Sequence, residues 1–364
     1  MQVVIRADAS TQIGIGHVMR CLTFANKLRS YMADVIFICR ELTGHICDVI
    51  EAQGFRVIKL PNVGLFQLES EDNPPHSSWL EADPMVDARQ TLEYLKQLVP
   101  DWLIIDHYAL DERWETLMRS YVKHIMVIDD LADRIHNCDL LLDQNLYEKA
   151  DERYRGLIPD HCRTFFGPRY ALLREEFSNI KQRKERDGIV NRILVFFGGS
   201  DPDNVTMLTI RAILSLNLSN IHVDIVAGSS NPNKGSIAEC CLELQNFQFH
   251  CQINNMAELM SKSDLAIGAG GTATWERCSV GLPAITIVMA KNQWEIACMV
   301  AKQGAIWNLG YHYDVDVEKI AQAIRYTLTH PSAVRQTSIN ALSLMSDNEA
   351  NGKNILIATM LKGF

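Results

Sequence analysis

The segment Arg6-Ala7-Asp8-Ala9-Ser10-Thr11-Gln12-Ile13-Gly14-Ile15-Gly16-His17-Val18-Met19-Arg20 sets a G-x-G turn between an apolar run and a helical pattern. Such a turn offers unpaired backbone N–H groups at a helix start, where a polar or anionic ligand can be held. Gly14 and Gly16 frame it, and Arg20 follows one helical turn on as a further substrate-binding candidate. It is not a dinucleotide fingerprint, because the third glycine position is Met19 and no acidic residue closes the next strand pattern. His17 stands where the helix dipole disfavours imidazolium and leaves a neutral ring able to accept a proton. The same histidine could simply cap the turn. Asp8 ends the preceding strand pattern and could orient His17, or could cap its own loop.

Two further apolar runs of the first half end in polar clusters, Asp106-His107-Tyr108 and Asp129-Asp130. Strand C-termini are where open α/β sheets present functional groups. A carboxylate pair could hold a cation, but no third ligand is adjacent and no metal spacing occurs, so Asp129-Asp130 reads as a loop-organising pair. No metal and no cofactor are expected.

The second half carries Phe196-Phe197-Gly198-Gly199-Ser200-Asp201-Pro202 and, later, Gly270-Gly271-Thr272-Ala273-Thr274-Trp275-Glu276. Glycines at strand ends let backbone approach a phosphate closely. Gly198, Gly199 and Ser200 form one such turn. Gly270, Gly271 and Thr272 would offer amides and a hydroxyl to a diphosphate, and Glu276 could accept from ribose hydroxyls. No Walker loop is present. Tight helix–sheet packing is the competing explanation for these glycines. A third polar strand end, Lys291-Asn292-Gln293, makes a ligand-lined edge the better reading.

The elements that must position these groups alternate. Strand patterns are predicted over residues 3–8, 35–40, 56–60, 102–106, 125–129 and 140–143, and then over 192–198, 222–227, 247–251, 265–268, 284–289 and 305–309. Helical spacing lies between most of them, as in 17–31 and 205–216. This alternation predicts an α/β chain of two Rossmann-like doubly wound domains facing a cleft. The expected division is 1–177 for the domain with the candidate base and 191–364 for the nucleotide-binding domain. A polar, basic linker spans 178–190, and the last helix packs back on the first domain. Residues 61–84, with four prolines and excess acid, read as an insertion, lid or mobile loop.

The chain has 364 residues, 47% of them hydrophobic, and a net charge of −9. Residues 1–180 carry 19 basic and 28 acidic side chains, leaving 35 − 19 = 16 and 44 − 28 = 16 for the remainder, so the first half holds the whole excess. A fixed negative charge repels polyanions and makes nucleic acid an improbable partner. No apolar run approaches the roughly 20 residues of a membrane span, and Met1 leads directly into a strand pattern, so a cytoplasmic monomer without membrane attachment is expected. Ten scattered cysteines without a C-x-x-C pair read as free thiols.

Taken together, Ile5–Ser10, Ile13–Leu22, Asp106-His107-Tyr108, Phe166-Gly167 with Tyr170–Phe177, and Lys291-Asn292-Gln293 resemble the UDP-2,4-diacetamido-2,4,6-trideoxy-β-L-altropyranose hydrolases of pseudaminic acid biosynthesis. The resemblance implies a glycosyltransferase-B type fold with UDP held mainly by the C-terminal domain. It implies His17 as general base, activating water for inverting attack on the anomeric carbon. It implies that Tyr108 and Asn292 contact the sugar or β-phosphate and that Glu276 binds the ribose, with Gln293 beside them. Residues 61–84 and the tail depart from that pattern. An inverting UDP-sugar transferase, or a non-catalytic nucleotide-sugar binding domain, would use the same glycine loops.

Overall fold

The computed structural model describes residues 1–64, 74, 76–178, 185–346 and 352–362. The chain divides into two compact units. The first holds Met1–Asn145, Lys149–Leu172 and the C-terminal helix Gly352–Lys362; the second holds Leu146–Glu148 and resumes at Leu173.

The first unit is built on a seven-stranded parallel sheet in the order β3-β2-β1-β4-β5-β6-β7. Its strands are β1 (Gln2–Ala7), β2 (Asp34–Arg40), β3 (Arg56–Leu60), β4 (Trp102–Asp106), β5 (His124–Ile128), β6 (Leu140–Asp143) and β7 (Arg163–Phe166). Side chains alternate along each strand, so Val3 and Ile5 join one core while Val4 joins the other. Helix α1 (Gly16–Ser30) covers the first face with Val18, Cys21, Leu22, Ala25 and Leu28. Leu356, Ile357 and Met360 of the C-terminal helix enter the same core, and the Trp102 indole N–H donates to Met360 O at 3.2 Å. Strand β7 is absent from the predicted set; its first two residues, Arg163 and Thr164, are exposed on the sheet edge and give no apolar run.

A buried charge network underlies β1 and β2. Arg6 donates to Asp8 at 2.6 and 2.8 Å and to Asp87 at 2.7 Å, and Arg40 donates to Asp87 at 2.6 Å. Asp87 comes from α2 (Pro84–Leu98), whose start is capped by the Asp83 carboxylate. All four charged groups are fully buried, so loss of any one leaves a stranded charge costing about 3–5 kcal/mol.

The second unit holds a six-stranded parallel sheet, β10-β9-β8-β11-β12-β13. Its strands are β8 (Arg192–Phe196), β9 (His222–Ala227), β10 (Phe247–Cys251), β11 (Leu265–Ala269), β12 (Ala284–Val288) and β13 (Trp307–Tyr311). Helices α3 (Val205–Ser215), α4 (Ala273–Ser279) and α5 (Trp294–Lys302) follow β8, β11 and β12. Strand β13 starts two residues later than predicted. The α5 C-terminus runs through Gly304, at φ +67°, and the Ala305 N–H still bonds Val300 O, so residue 305 closes a helix.

Both sheets reverse direction of growth at one place, between β1 and β4 and between β8 and β11. Loops leaving the C-terminal ends of such strand pairs diverge and leave room for a ligand. His17 and Asp106 lie at the first reversal; the Gly198–Ser200 and Gly270–Thr272 turns lie at the second.

Two expectations for connecting segments change. Of residues 61–84, positions 65–73 and 75 lie outside the described residues, but Leu80 and Ala82 are core residues, so the end of the segment is packed. Of the linker, 179–184 lie outside the described residues, whereas Arg186 is buried and donates to Met260, Ser263 and Val280 carbonyls at 2.8–2.9 Å. Residues 185–190 therefore pack as part of the second unit and are not a solvated tether.

Candidate active site

Ser10 prepares the His17 loop. Its hydroxyl accepts from Gln12 and Ile13 N–H and its carbonyl from Gly14 N–H at 2.8 Å, folding the chain back so that α1 begins at Gly16. Gly14 takes φ +77°, which disfavours other residues. His17, on the first turn of α1, points its Nδ1 at Asp106 Oδ1, 2.6 Å away.

Asp106 closes β4 and is fully buried. Arg20, one turn after His17, donates to both its oxygens at 2.6 Å, and Cys21 Sγ lies 3.4 Å from Oδ2. Burial opposes the ionised Asp106 carboxyl, but Arg20 and His17 more than offset it and hold its pKa well below the usual carboxylate range. An ionised carboxylate only accepts, so Nδ1 carries a proton, and in the neutral ring the lone pair then lies on Nε2. That is the tautomer a general base needs.

Asp130 extends the network. It accepts from the Tyr108 hydroxyl in a short hydrogen bond, from Arg20 at 3.3 Å and from Asn145 at 3.1 Å. The Tyr108 ring meets His17 edge to face at 4.6 Å. Burial, then Asp130, keeps the Tyr108 phenol neutral by raising its pKa. Asp129 organises the loop as expected from sequence, accepting from Ala132 N–H at 2.9 Å and pairing with Arg134 at 2.8 Å.

Three first-unit expectations are corrected. Asp8 does not orient His17: it is bound by Arg6, by Arg40 N–H at 2.7 Å and by His107 Nε2 at 3.3 Å, and Asp106 takes the orienting place. Arg20 is buried and committed to Asp106 and Asp130, so its observed role is to hold the carboxylates around His17. Tyr108 is 3% exposed, which leaves its ring no open face for a sugar.

In the second unit, Gly198 sits at φ +93° after β8. A Cβ on Gly228 would lie 2.2 Å from Gly199 O, and one on Gly268 would lie 2.2 Å from Phe196 O, so packing alone demands those two glycines. Gly270 and Gly271 differ. A Cβ there meets nothing closer than 3.4 Å, with Gln293 at 3.6 Å, so packing does not demand glycine at either position. Asp201 occupies the start of α3, accepting from Val205 and Thr206 N–H and the Thr206 hydroxyl; an anion would have to use the Gly198–Ser200 turn itself.

Glu276, on α4, accepts from Arg174 at 2.8 and 3.1 Å. Burial opposes the Arg174 charge, and Glu276 with Glu176 more than restores it. Arg277 next to it is buried with no carboxylate partner among the described residues, donating instead to Ala269 O at 2.8 Å. Burial lowers its pKa to about 10, which still leaves a cation under the Gly270–Thr272 turn. Asn292 is exposed, and Gln293 anchors its turn by accepting from Met289 N–H at 3.0 Å. The sequence reading did not single out Arg174 as a partner of Glu276, nor Arg277; only the alternation of charge in Arg174-Glu175-Glu176 hinted at a pairing role. No group of three or more His, Cys, Asp or Glu side chains among the described residues could hold a metal ion. No described helix is long and apolar enough to cross a membrane.

Residues 193–351 match the glycosyltransferase family 28 C-terminal domain. The chain is 29% identical over 315 residues to UDP-2,4-diacetamido-2,4,6-trideoxy-β-L-altropyranose hydrolase of Campylobacter jejuni, covering 86% of this chain and 100% of that protein. It is 26% identical over 311 residues to the uncharacterized protein MJ1062 of Methanocaldococcus jannaschii, covering 82% of this chain but 57% of that longer protein. Among solved structures, MurG of Acinetobacter baumannii superposes over 100% of this chain and 99% of its own, with a TM-score of 0.66 at 13% identity. The fold is that of the GT-B glycosyltransferases, and the resemblance seen in the motifs extends over most of the chain.

Proposed function

We propose that this chain is a hydrolase that cleaves the anomeric C–O bond of a UDP-2,4-diacetamido-2,4,6-trideoxy sugar, releasing UDP and the free sugar with inversion. The observation that carries the reading is the His17–Asp106 pair, which fixes the ring through Nδ1 and leaves Nε2 as the nitrogen that would accept a proton. The similarity to the Campylobacter hydrolase supports processing of a UDP-sugar, and the proposed substrate class is the one in that relative's name.

In this mechanism water loses a proton to His17 Nε2 as its oxygen bonds to C1. The C1–O bond breaks on the opposite face, and the electron pair leaves with UDP. UDP is a good leaving group, so no strong general acid is required. The imidazolium formed is stabilised by Asp106, and a positioned base of this kind contributes roughly 10²–10⁴-fold. In the second unit the Gly198–Ser200 and Gly270–Thr272 turns would hold the diphosphate, with Arg277 adding positive potential beneath. Fixed donors aimed at developing charge are typically a large catalytic term. Glu276, held by Arg174, would accept from the ribose, and exposed Asn292 would contact the sugar or β-phosphate.

The family 28 match favours one alternative, transfer of the sugar to an acceptor alcohol. NMR of products after incubation with a small panel of UDP-diacetamido sugars separates the two. Free inverted sugar without an acceptor supports hydrolysis; turnover only with an added acceptor contradicts it.

A further inference from the structure

Three aromatic rings, Tyr108, Trp79 and His76, cluster around the candidate base, and two come from the segment that departs from the family pattern. Trp79, on the 3-10 turn Ser77–Leu80, lies 5.5 Å from the Tyr108 ring; His76 lies 5.7 Å from Tyr108 and 5.0 Å from Trp79. Leu80 and Ala82 anchor the turn in the core beneath. Arg134 sits over the Tyr108 ring at 5.8 Å.

These contacts decide which surface a ligand meets. Tyr108 is 3% exposed, its hydroxyl spent on Asp130 and its ring covered by Trp79 and His76. Trp79 is half-buried and the His76 side chain is 31% exposed. The accessible aromatic surface packed on Tyr108, whose ring in turn meets His17, therefore belongs to Trp79 and His76.

We infer that Trp79 and His76 form the sugar-contacting wall of the site and take the apolar face of a deoxygenated, N-acetylated hexose. This rests on the hydrolase reading above, and it supplies the substrate selectivity that His17 chemistry leaves open. The C6 methyl and acetamido methyl groups of such a sugar match an indole face, which buries a large apolar area at small entropic cost. The wall is uncharged: burial pushes the His76 imidazole below its ordinary pKa, against a weaker opposing pull from Asp133 at 3.7 Å. A hexose bearing a C6 hydroxyl would press that group against the indole and lose a hydrogen bond to water.

The test is steady-state kinetics on a UDP-linked 2,4-diacetamido-2,4,6-trideoxyhexose, with UDP inhibition constants, for the parent, Trp79→Ala, Trp79→Phe and His76→Gln. Trp79→Ala raises KM by about tenfold, the scale of one lost apolar contact. Its kcat and UDP inhibition constant stay near the parent values, and Trp79→Phe recovers most of the loss. An unchanged KM, or a fall in kcat at constant KM, overturns the inference and leaves Trp79 a prop for Tyr108. If the parent releases no UDP at all, the hydrolase reading fails on its own. Saturation-transfer NMR with the same nucleotide sugar then reads the wall directly. Methyl signals saturated by the parent but not by Trp79→Ala support it; equal saturation by both overturns it.

Discussion

His17 and Asp106 are 89 residues apart in the chain and joined by a 2.6 Å hydrogen bond. Strand β4 lies beside β1 with Ala7 opposite Asp106, so the residue closing β4 faces the helix that follows β1. The geometry depends on that strand order and on Arg20, which holds both Asp106 oxygens.

Asp106→Asn tests the orienting role. The amide can still hydrogen-bond, but it no longer demands an Nδ1 proton or stabilises the imidazolium. Single-turnover hydrolysis should slow by about 10²–10⁴-fold, while UDP affinity measured by calorimetry stays constant. Equal loss of UDP binding would move Asp106 out of the catalytic account.

The buried carboxylates predict opposite pH dependences. Asp106 and Asp129 have folded pKa values below ordinary carboxylates, since their cationic partners outweigh burial, so their stabilisation is present above about pH 4 and is lost as pH falls further. Asp143 is the reverse. Burial, then Asp130, raises its pKa, so its contribution is full at low pH and is lost as pH rises through that raised value. Tyr154 can donate one proton, yet its hydroxyl lies 3.0 Å from both Asp129 and Asp143, which suits a protonated Asp143. Thermal unfolding of Asp143→Asn across pH 3–8 should match the parent at the acid end and exceed it at neutral pH by about 1 kcal/mol or more. A uniform difference across that range would contradict the assignment.

Arg174→Met should strand the Glu276 carboxylate. The pair is partly exposed, so urea unfolding should register a loss of about 1–3 kcal/mol, below the cost of a fully buried pair. UDP affinity should fall by about tenfold, one lost charge-assisted hydrogen bond, as Glu276 leaves the ribose. Unchanged UDP affinity would free Glu276 from that role.

Two glycine variants separate packing from loop freedom. Gly268→Ala places a Cβ 2.2 Å from Phe196 O, a backbone atom that cannot swing away. A cost near the upper end of about 1–3 kcal/mol is expected by urea unfolding. Gly16→Ala meets nothing within 4 Å and should leave stability within about 1 kcal/mol of the parent.

Much of the scaffold was legible because parallel strands buried on both faces are continuous apolar runs, as in Val3-Val4-Ile5 and Leu140-Leu141-Leu142. The glycine turns and His17 stood out as candidates because strand ends in such sheets are where functional groups are presented. Partnerships were not. Asp8 looked like the natural neighbour of His17, and only the position of β4 next to β1 shows that Asp106 reaches it first. Arg174 and Glu276 lie 102 residues apart, and no local pattern joins them. Trp79 stood in a polar, proline-rich stretch whose contact with Tyr108 depends on tertiary packing.

The central claim is that His17 activates water for attack on the anomeric carbon. Mass spectrometry of both products after turnover in ¹⁸O-labelled water tests it most directly, with the parent and His17→Phe side by side. One labelled oxygen on the sugar, none on UDP, and loss of turnover in the variant are predicted. Label on the UDP β-phosphate, or undiminished turnover without His17, would contradict the account.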